Sequence, residues 1–165
     1  MVDIERIYEE NFITVYRYVL SLSRDPHIAE EVTQETFFKA LKSVNAFRGD
    51  WSLSVWLCQI AKNTYLKHLE KTKRTDKLKQ TSKGEAFVSD GPEKALVNKE
   101  TSKRIHKVLH DMDEPYKEVF SLRTFGELSF QDIAELFRKS ENWARVTYFR
   151  AKSKIKEALE NENEM

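Results

Sequence analysis

The chain has 165 residues, 40% apolar and 33% charged, which suits one mid-sized domain or two small ones with a packed core. Four Gly and three Pro are too few for an all-β fold built on many turns, and a single cysteine excludes an internal disulfide and a multi-cysteine zinc site. The net charge of +1 hides local structure: residues 71–83 hold six cations against Asp76 alone, while 157–165 hold four Glu and no cation.

Residues 1–10 are acidic and polar, unlike a signal peptide, and no window is apolar enough for a membrane span. A soluble, cytoplasmic protein without membrane insertion is the expectation. The first helix is predicted over 4–22, with Asp3 as N-cap and Ile4, Ile7, Tyr8, Phe12, Val15, Tyr16, Val19 and Leu22 along one face. Asp25 followed by Pro26 signals a second start, and Ile28, Val32, Phe37, Leu41 and Val44 continue the apolar stripe. Gly49 in "NAFRGDW" breaks it. A third helix is predicted from about Ser52 to Lys71, with Leu53, Trp56, Leu57, Ile60 and Ala61 facing inward and Gln59, Lys62, Asn63, Lys67 and Glu70 outward.

From about Thr72 to Gly91 the period dissolves into a basic, polar stretch that reads as a linker. Helical patterning resumes in "PEKALVNKETSKRIHKVLHDM" and again after Pro115 in "YKEVFSLRTF". Ser129 then precedes a short helix with Ile133, Ala134, Leu136 and Phe137. After "RKS", Ser140 is placed to cap a long helix with Ala144, Tyr148, Ala151, Ile155 and Leu159 inward. A short helix, a tight break and a longer capped helix outline a helix-turn-helix over about 129–156. Arg145, Arg150, Lys152, Lys154 and Lys156 lie outside the stripe, so the second helix has the size and charge of one that enters a DNA major groove.

Three stretches in order, "AEEVTQETFFKAL" (29–41), "FRGDWSLSVWLCQIAKNTYLKHL" (47–69) and "SFQDIAEL…SENWARVTYFRAK" (129–152), resemble a bacterial RNA polymerase sigma factor of the extracytoplasmic-function (ECF) group. The resemblance covers nearly the whole chain. It implies an all-α protein of two small helical domains: a region 2-type domain over 1–71, a flexible basic linker over 72–92, and a region 4-type domain over 93–165. The first would bind the core polymerase clamp and the −10 promoter element, the second the polymerase flap and the −35 element. No catalytic residue, metal or cofactor is implied. The implied partners are core RNA polymerase, promoter DNA and an anti-sigma factor, the chain being a monomer when free of them.

Residue by residue, the resemblance makes loop 46–54 the base-capturing loop. Arg48, Asp50, Trp51, Gln59, Lys62, Asn63 and Lys67 are then the −10 candidates. Unpaired bases need flat surfaces to stack on, worth about 1–3 kcal/mol each, against the few kcal/mol that unstacking costs. Trp51 is the candidate stacking face, whereas Phe47 and Trp56 read as packing residues. Glu31, Gln34 and Glu35, within a carboxylate run that has no catalytic pattern, are the polymerase-binding candidates. In the last helix Asn142, Arg145, Val146 and Phe149 share a side suited to base edges. Arg can pair with guanine and apolar groups can meet a thymine methyl, while Arg150 suits phosphate; Lys152 is a further −35 candidate.

The chain departs from the family where Gly and an aliphatic residue usually precede the capping Ser. Here Arg138 and Lys139 stand, and a non-Gly residue in a left-handed turn costs about 1–2 kcal/mol. Trp143, Thr147, Met112 and Pro115 also depart, which leaves the −35 preference less predictable than the fold. His106 and His110 are spaced i, i+4 but lack a third ligand, so a solvated pair is expected; Cys58 reads as inertly buried. Two other classes fit parts of the chain. A helix-turn-helix regulator acting without polymerase explains 129–156 but not the first 71 residues, and such proteins usually dimerise. A sigma-like interaction module explains the helices but not the aromatic–basic loop.

Overall fold

A computed structural model describes residues 3–47, 52–76 and 94–163. Among these, seven α-helices and one short 3₁₀ turn make up the structure, with no strand. They are α1 (Ile4–Ser23), α2 (Pro26–Ser43), the 3₁₀ turn Val44–Ala46, α3 (Leu53–Asp76), α4 (Lys94–His110), α5 (Tyr116–Thr124), α6 (Phe130–Phe137) and α7 (Glu141–Asn163). The chain divides into two compact units, Met1–Ala86 and Phe87–Met165.

In the first unit α1, α2 and α3 pack on one another. The helix starts are set locally. Asp3 accepts a hydrogen bond from the Arg6 N–H, and Asp25 accepts from those of His27 and Ile28, with Pro26 opening the helix. The core is Val15, Tyr18 and Val19 from α1, Ala29, Val32, Phe37 and Ala40 from α2, and Val55, Leu57, Cys58 and Ala61 from α3. Two buried hydroxyls of α2 are satisfied within their own helix: Thr33 donates to the Ala29 carbonyl at 2.6 Å and Thr36 to that of Val32 at 2.7 Å.

Several expectations are corrected here. Tyr8 and Leu41, read as core-facing, are exposed. On α3 the fully buried wall is Val55, Leu57, Cys58, Ala61 and Thr64, while Leu53, Trp56 and Ile60 are half-buried. Cys58 is buried, as expected. α3 also continues to Asp76, past the predicted end at Lys71. Lys, Thr and Arg tolerate a solvated helix without an apolar stripe, and Thr72 donates to the His68 carbonyl at 2.9 Å.

In the second unit α7 is the central element, packed by α4, α5 and α6. Leu109, Phe120, Ala151 and Ile155 form its buried centre, with Met112, Tyr116, Phe125, Tyr148 and Leu159 packed around. Arg104 of α4 ties to the end of α7, donating to the Leu159 carbonyl and pairing with Glu162, both at 3.3 Å. His106 is not solvated: it is buried and stacked on Phe125, ring centres 5.2 Å apart, while His110 stays exposed. Among the described residues no group of His, Cys, Asp and Glu has the makings of a metal site, and no helix is long and apolar enough to cross a membrane.

Candidate nucleic-acid interface

The helix-turn-helix is built from local signals. Ser129 caps α6 by accepting from the Asp132 N–H at 3.0 Å, and Ser140 caps α7 by accepting from the Trp143 N–H at 3.0 Å. Between them Arg138 takes the left-handed conformation, φ 56° and ψ 46°. The Lys139 N–H then reaches the Ala134 carbonyl at 2.9 Å and the Arg138 N–H that of Glu135 at 3.3 Å, the two bonds of a Schellman stop. The turn is therefore made with an arginine where glycine is the easy residue.

Aromatic packing sets the angle between α6 and α7. Tyr148 stacks on Phe120 at 5.8 Å, nearly parallel, and meets Phe130 at 5.7 Å. The Arg123 guanidinium lies over Phe130 at 4.2 Å and donates to the Leu128 carbonyl at 3.0 Å. With Ala144, Thr147, Ala151 and Ile155 buried, the opposite side of α7 faces outward. All six candidates there, Asn142, Arg145, Val146, Phe149, Arg150 and Lys152, are exposed. Four of them, Arg145, Val146, Phe149 and Arg150, line one shallow groove with Tyr116, Ser153 and Lys154. Arg145 is braced by Glu141 at 3.1 Å and by the Phe130 ring at 5.3 Å. Half of Phe149 is open to solvent, beside exposed Val146, an apolar pair within a cationic rim. Sequence reasoning missed Tyr116, which reaches the groove from a different helix.

In the first unit Gln59, Lys62, Asn63 and Lys67 share one outward side of α3; all but half-buried Lys62 are exposed. Leu66, exposed on that side, was missed. Phe47 and Trp56 pack ring on ring at 4.9 Å where the chain enters α3, and the Ser52 hydroxyl accepts from the Val55 N–H at 3.2 Å. Arg48, Asp50 and Trp51 lie outside the described residues.

On α2, Glu31, Gln34 and Glu35 are exposed. Glu31 stands 3.6 Å from His68, and Glu35 pairs with Lys39 at 3.5 Å, whose ammonium also donates to Thr64 at 3.0 Å. Directly along the same face are Phe38 and Leu41, both about half exposed, with the Lys42 ammonium 4.4 Å over the Phe38 ring. The signal for this was the doublet Phe37–Phe38: neighbours on a helix point about 100° apart, so where a helix is covered on one side an apolar doublet can leave one ring outward.

Two family models, sigma-70 region 2 and sigma-70 region 4, match residues 7–75 and 102–155, together most of the chain. The RNA polymerase sigma-H factor of Pseudomonas aeruginosa is 29% identical over 151 residues, 86% of this chain and 78% of its own length. The RNA polymerase sigma factor YlaC of Bacillus subtilis is 27% identical over 164 residues, covering 98% of this chain and 94% of its own. The ECF RNA polymerase sigma factor SigM of the same organism is 25% identical, with 93% of each chain covered. The fold is also that of the sigma factor RpoE solved with the anti-sigma factor NepR from Bartonella quintana, with a TM-score of 0.73 at 18% identity over 94% of this chain and 96% of that one. CnrH, solved with the cytosolic domain of CnrY, matches with a TM-score of 0.68 at 18% identity over 96% of this chain and 88% of that one. The chain belongs to the sigma-70 family, in its extracytoplasmic-function group.

Proposed function

We propose that this sigma factor, which recruits core RNA polymerase to promoters, works through three surfaces of its own chain. The outer face of α2, with Glu31, Gln34 and Glu35, meets the polymerase clamp. Loop 46–54 and the outer side of α3, with Arg48, Asp50, Trp51, Gln59, Lys62, Asn63 and Lys67, take the opened −10 element. The outer side of α7 reads the −35 element, with Asn142, Arg145, Val146 and Phe149 toward base edges and Arg150 and Lys152 toward phosphates. The division of labour follows the two units, the first carried through α3 to Asp76 and the second from α4 onward, joined by the stretch between.

The observation that carries this reading is the groove on α7. Four residues marked in the sequence by helical pattern and family resemblance, Arg145, Val146, Phe149 and Arg150, line it together on the second helix of a capped helix-turn-helix. Such a helix fits a major groove, where an arginine reads guanine through two hydrogen bonds and an apolar group meets the thymine methyl. The chain supplies no bond-making group in this scheme; it binds, orients and holds strands apart. Stacking of about 1–3 kcal/mol per base on Trp51 offsets the few kcal/mol of unstacking. The protein acts in the cytoplasm, where core polymerase works. An anti-sigma protein that covers these faces is part of the reading, supported by two fold relatives solved with such partners or with a partner's cytosolic domain.

Run-off transcription tests it. Purified protein is added to sigma-free core polymerase with a pool of genomic promoter fragments from the source organism. Discrete new transcripts are expected. No transcripts and no binding to core, with the polymerase shown active on another sigma factor, would sink the proposal.

A further inference from the structure

The groove on α7 extends past the residues that the sequence pattern marks. Tyr116 enters it from the start of α5, and Lys154 lies one turn beyond Arg150. The Lys154 ammonium stands 5.0 Å from the centre of the Tyr116 ring. Arg145, Arg150 and Lys154 contribute three cations to the lining, and no carboxylate lines it. On the other side of the Tyr116–Lys154 contact lies a second hollow, which these two residues also line, and there the charge reverses: Asp111, Asp113 and Glu162. The contact thus marks a boundary between a cationic and an acidic surface.

We propose that Tyr116 and Lys154 form a phosphate clamp that ends the DNA footprint of the second unit and sets the register of α7 on the duplex. The inference rests on the reading of α7 as the −35 helix and adds a positioning site to it. At 1.5 Å per residue, Lys154 lies about 14 Å along the axis from Arg145. That is about the ~12 Å width of a major groove. When Arg145 is at the base edges, Lys154 is at the sugar–phosphate wall. The Tyr116 ring holds the ammonium of a side chain that is otherwise free to sample many rotamers, and the phenol hydroxyl is a second donor for a phosphate oxygen. Asp111, Asp113 and Glu162 repel the backbone beyond that point, so the wall has one favourable position. A contact of this kind fixes orientation without reading sequence.

The test uses holoenzyme reconstituted from the full chain and core polymerase, and a duplex selected by that holoenzyme from a randomised library. Binding is followed by fluorescence anisotropy across about a four-fold range of salt. Lys154→Gln is expected to lower affinity and to reduce the slope of log affinity against log salt by about 0.9, one phosphate contact. The loss of affinity across that range then becomes roughly 3-fold smaller, with base preference unchanged. Tyr116→Phe is expected to keep the ring's hold on Lys154 and most of the slope. Arg145→Ala serves as the comparator, expected to relax base preference at one position. If Lys154→Gln leaves the slope unchanged while Arg145→Ala relaxes the preference, the clamp is wrong and the −35 reading stands. If Lys154→Gln changes base preference, the residue reads a base and the clamp is wrong. If neither variant alters binding, the −35 reading falls and the clamp with it.

Discussion

Arg138 shows how a single residue can cost stability and leave the architecture intact. Its left-handed backbone, φ 56°, closes the α6–α7 turn with the hydrogen bonds that a glycine there would make. The steric cost of a β-carbon in that region is about 1–2 kcal/mol. Arg138→Gly is therefore expected to stabilise the second unit by about 1 kcal/mol, part of the gain being lost to the freer unfolded chain. Urea melts of the two proteins check this, and a destabilised glycine variant would show that the arginine side chain makes up more than the strain. Tyr65 gives a second residue-level test. Its hydroxyl donates to the Leu22 carbonyl at 3.2 Å, and burial pushes its phenol pKa up. The folded state thus favours the neutral phenol. Its contribution is fully present below the ordinary tyrosine pKa of about 10 and is lost as pH rises through the raised folded value. Tyr65→Phe is expected to cost about 1 kcal/mol near neutrality. That gap should narrow in urea melts at about pH 11; a gap that widened instead would contradict the sign.

At the scale of the element, the helix starts were legible because capping is local. Asp3, Asp25, Ser129 and Ser140 each accept a bond from an N–H two or three residues on, with no help from another helix. The faces were less legible. On α3 the pattern offered Leu53, Trp56, Leu57, Ile60 and Ala61 as core; Leu57 and Ala61 are fully buried, but Leu53, Trp56 and Ile60 are only half-buried, and Val55, left out of the stripe, is fully buried because α3 is packed by two helices at once. On α2 the residue left out was Phe38, 57% exposed beside Leu41 at 49%. Apolar groups in that position, continuous with Glu31, Gln34 and Glu35, extend the proposed polymerase-facing surface. Phe38→Ala should leave thermal stability within about 0.5 kcal/mol of the parent, as for an exposed site. It should also weaken binding to core polymerase about ten-fold or more, as loss of a buried aromatic anchor does at an interface. A pull-down or titration with core polymerase decides it, and unchanged affinity would remove Phe38 from the interface.

At the scale of the whole molecule, the described residues of the first unit pack a hydrophobic core around Tyr18, Val32 and Leu57, and those of the second pack one around Leu109, Phe120 and Ile155. Calorimetry of the intact chain is expected to resolve two transitions. Leu57→Ala, which opens a cavity in the first core, should cost about 2–5 kcal/mol and move one transition; Leu109→Ala should do the same to the other. A single transition shifted by both variants would mean that the cores unfold as one.

The amino-acid order alone determined the helical class, the positions of the caps, the helix-turn-helix and the outward side of α7. Each of these depends on interactions between residues a few places apart, which a one-dimensional pattern records. The tertiary structure decided what depends on distant segments meeting. It buried His106 by placing Phe125 over its ring. It left Phe38 and Leu41 about half exposed because, within the first unit, α1 and α3 pack on the side of α2 that carries Val32, Phe37 and Ala40. It brought Tyr116 to Lys154, thirty-eight residues apart in the chain. The physical reason is the same in each case: periodicity tells which side of a helix is apolar, but only the neighbouring helices determine how much of that side they cover.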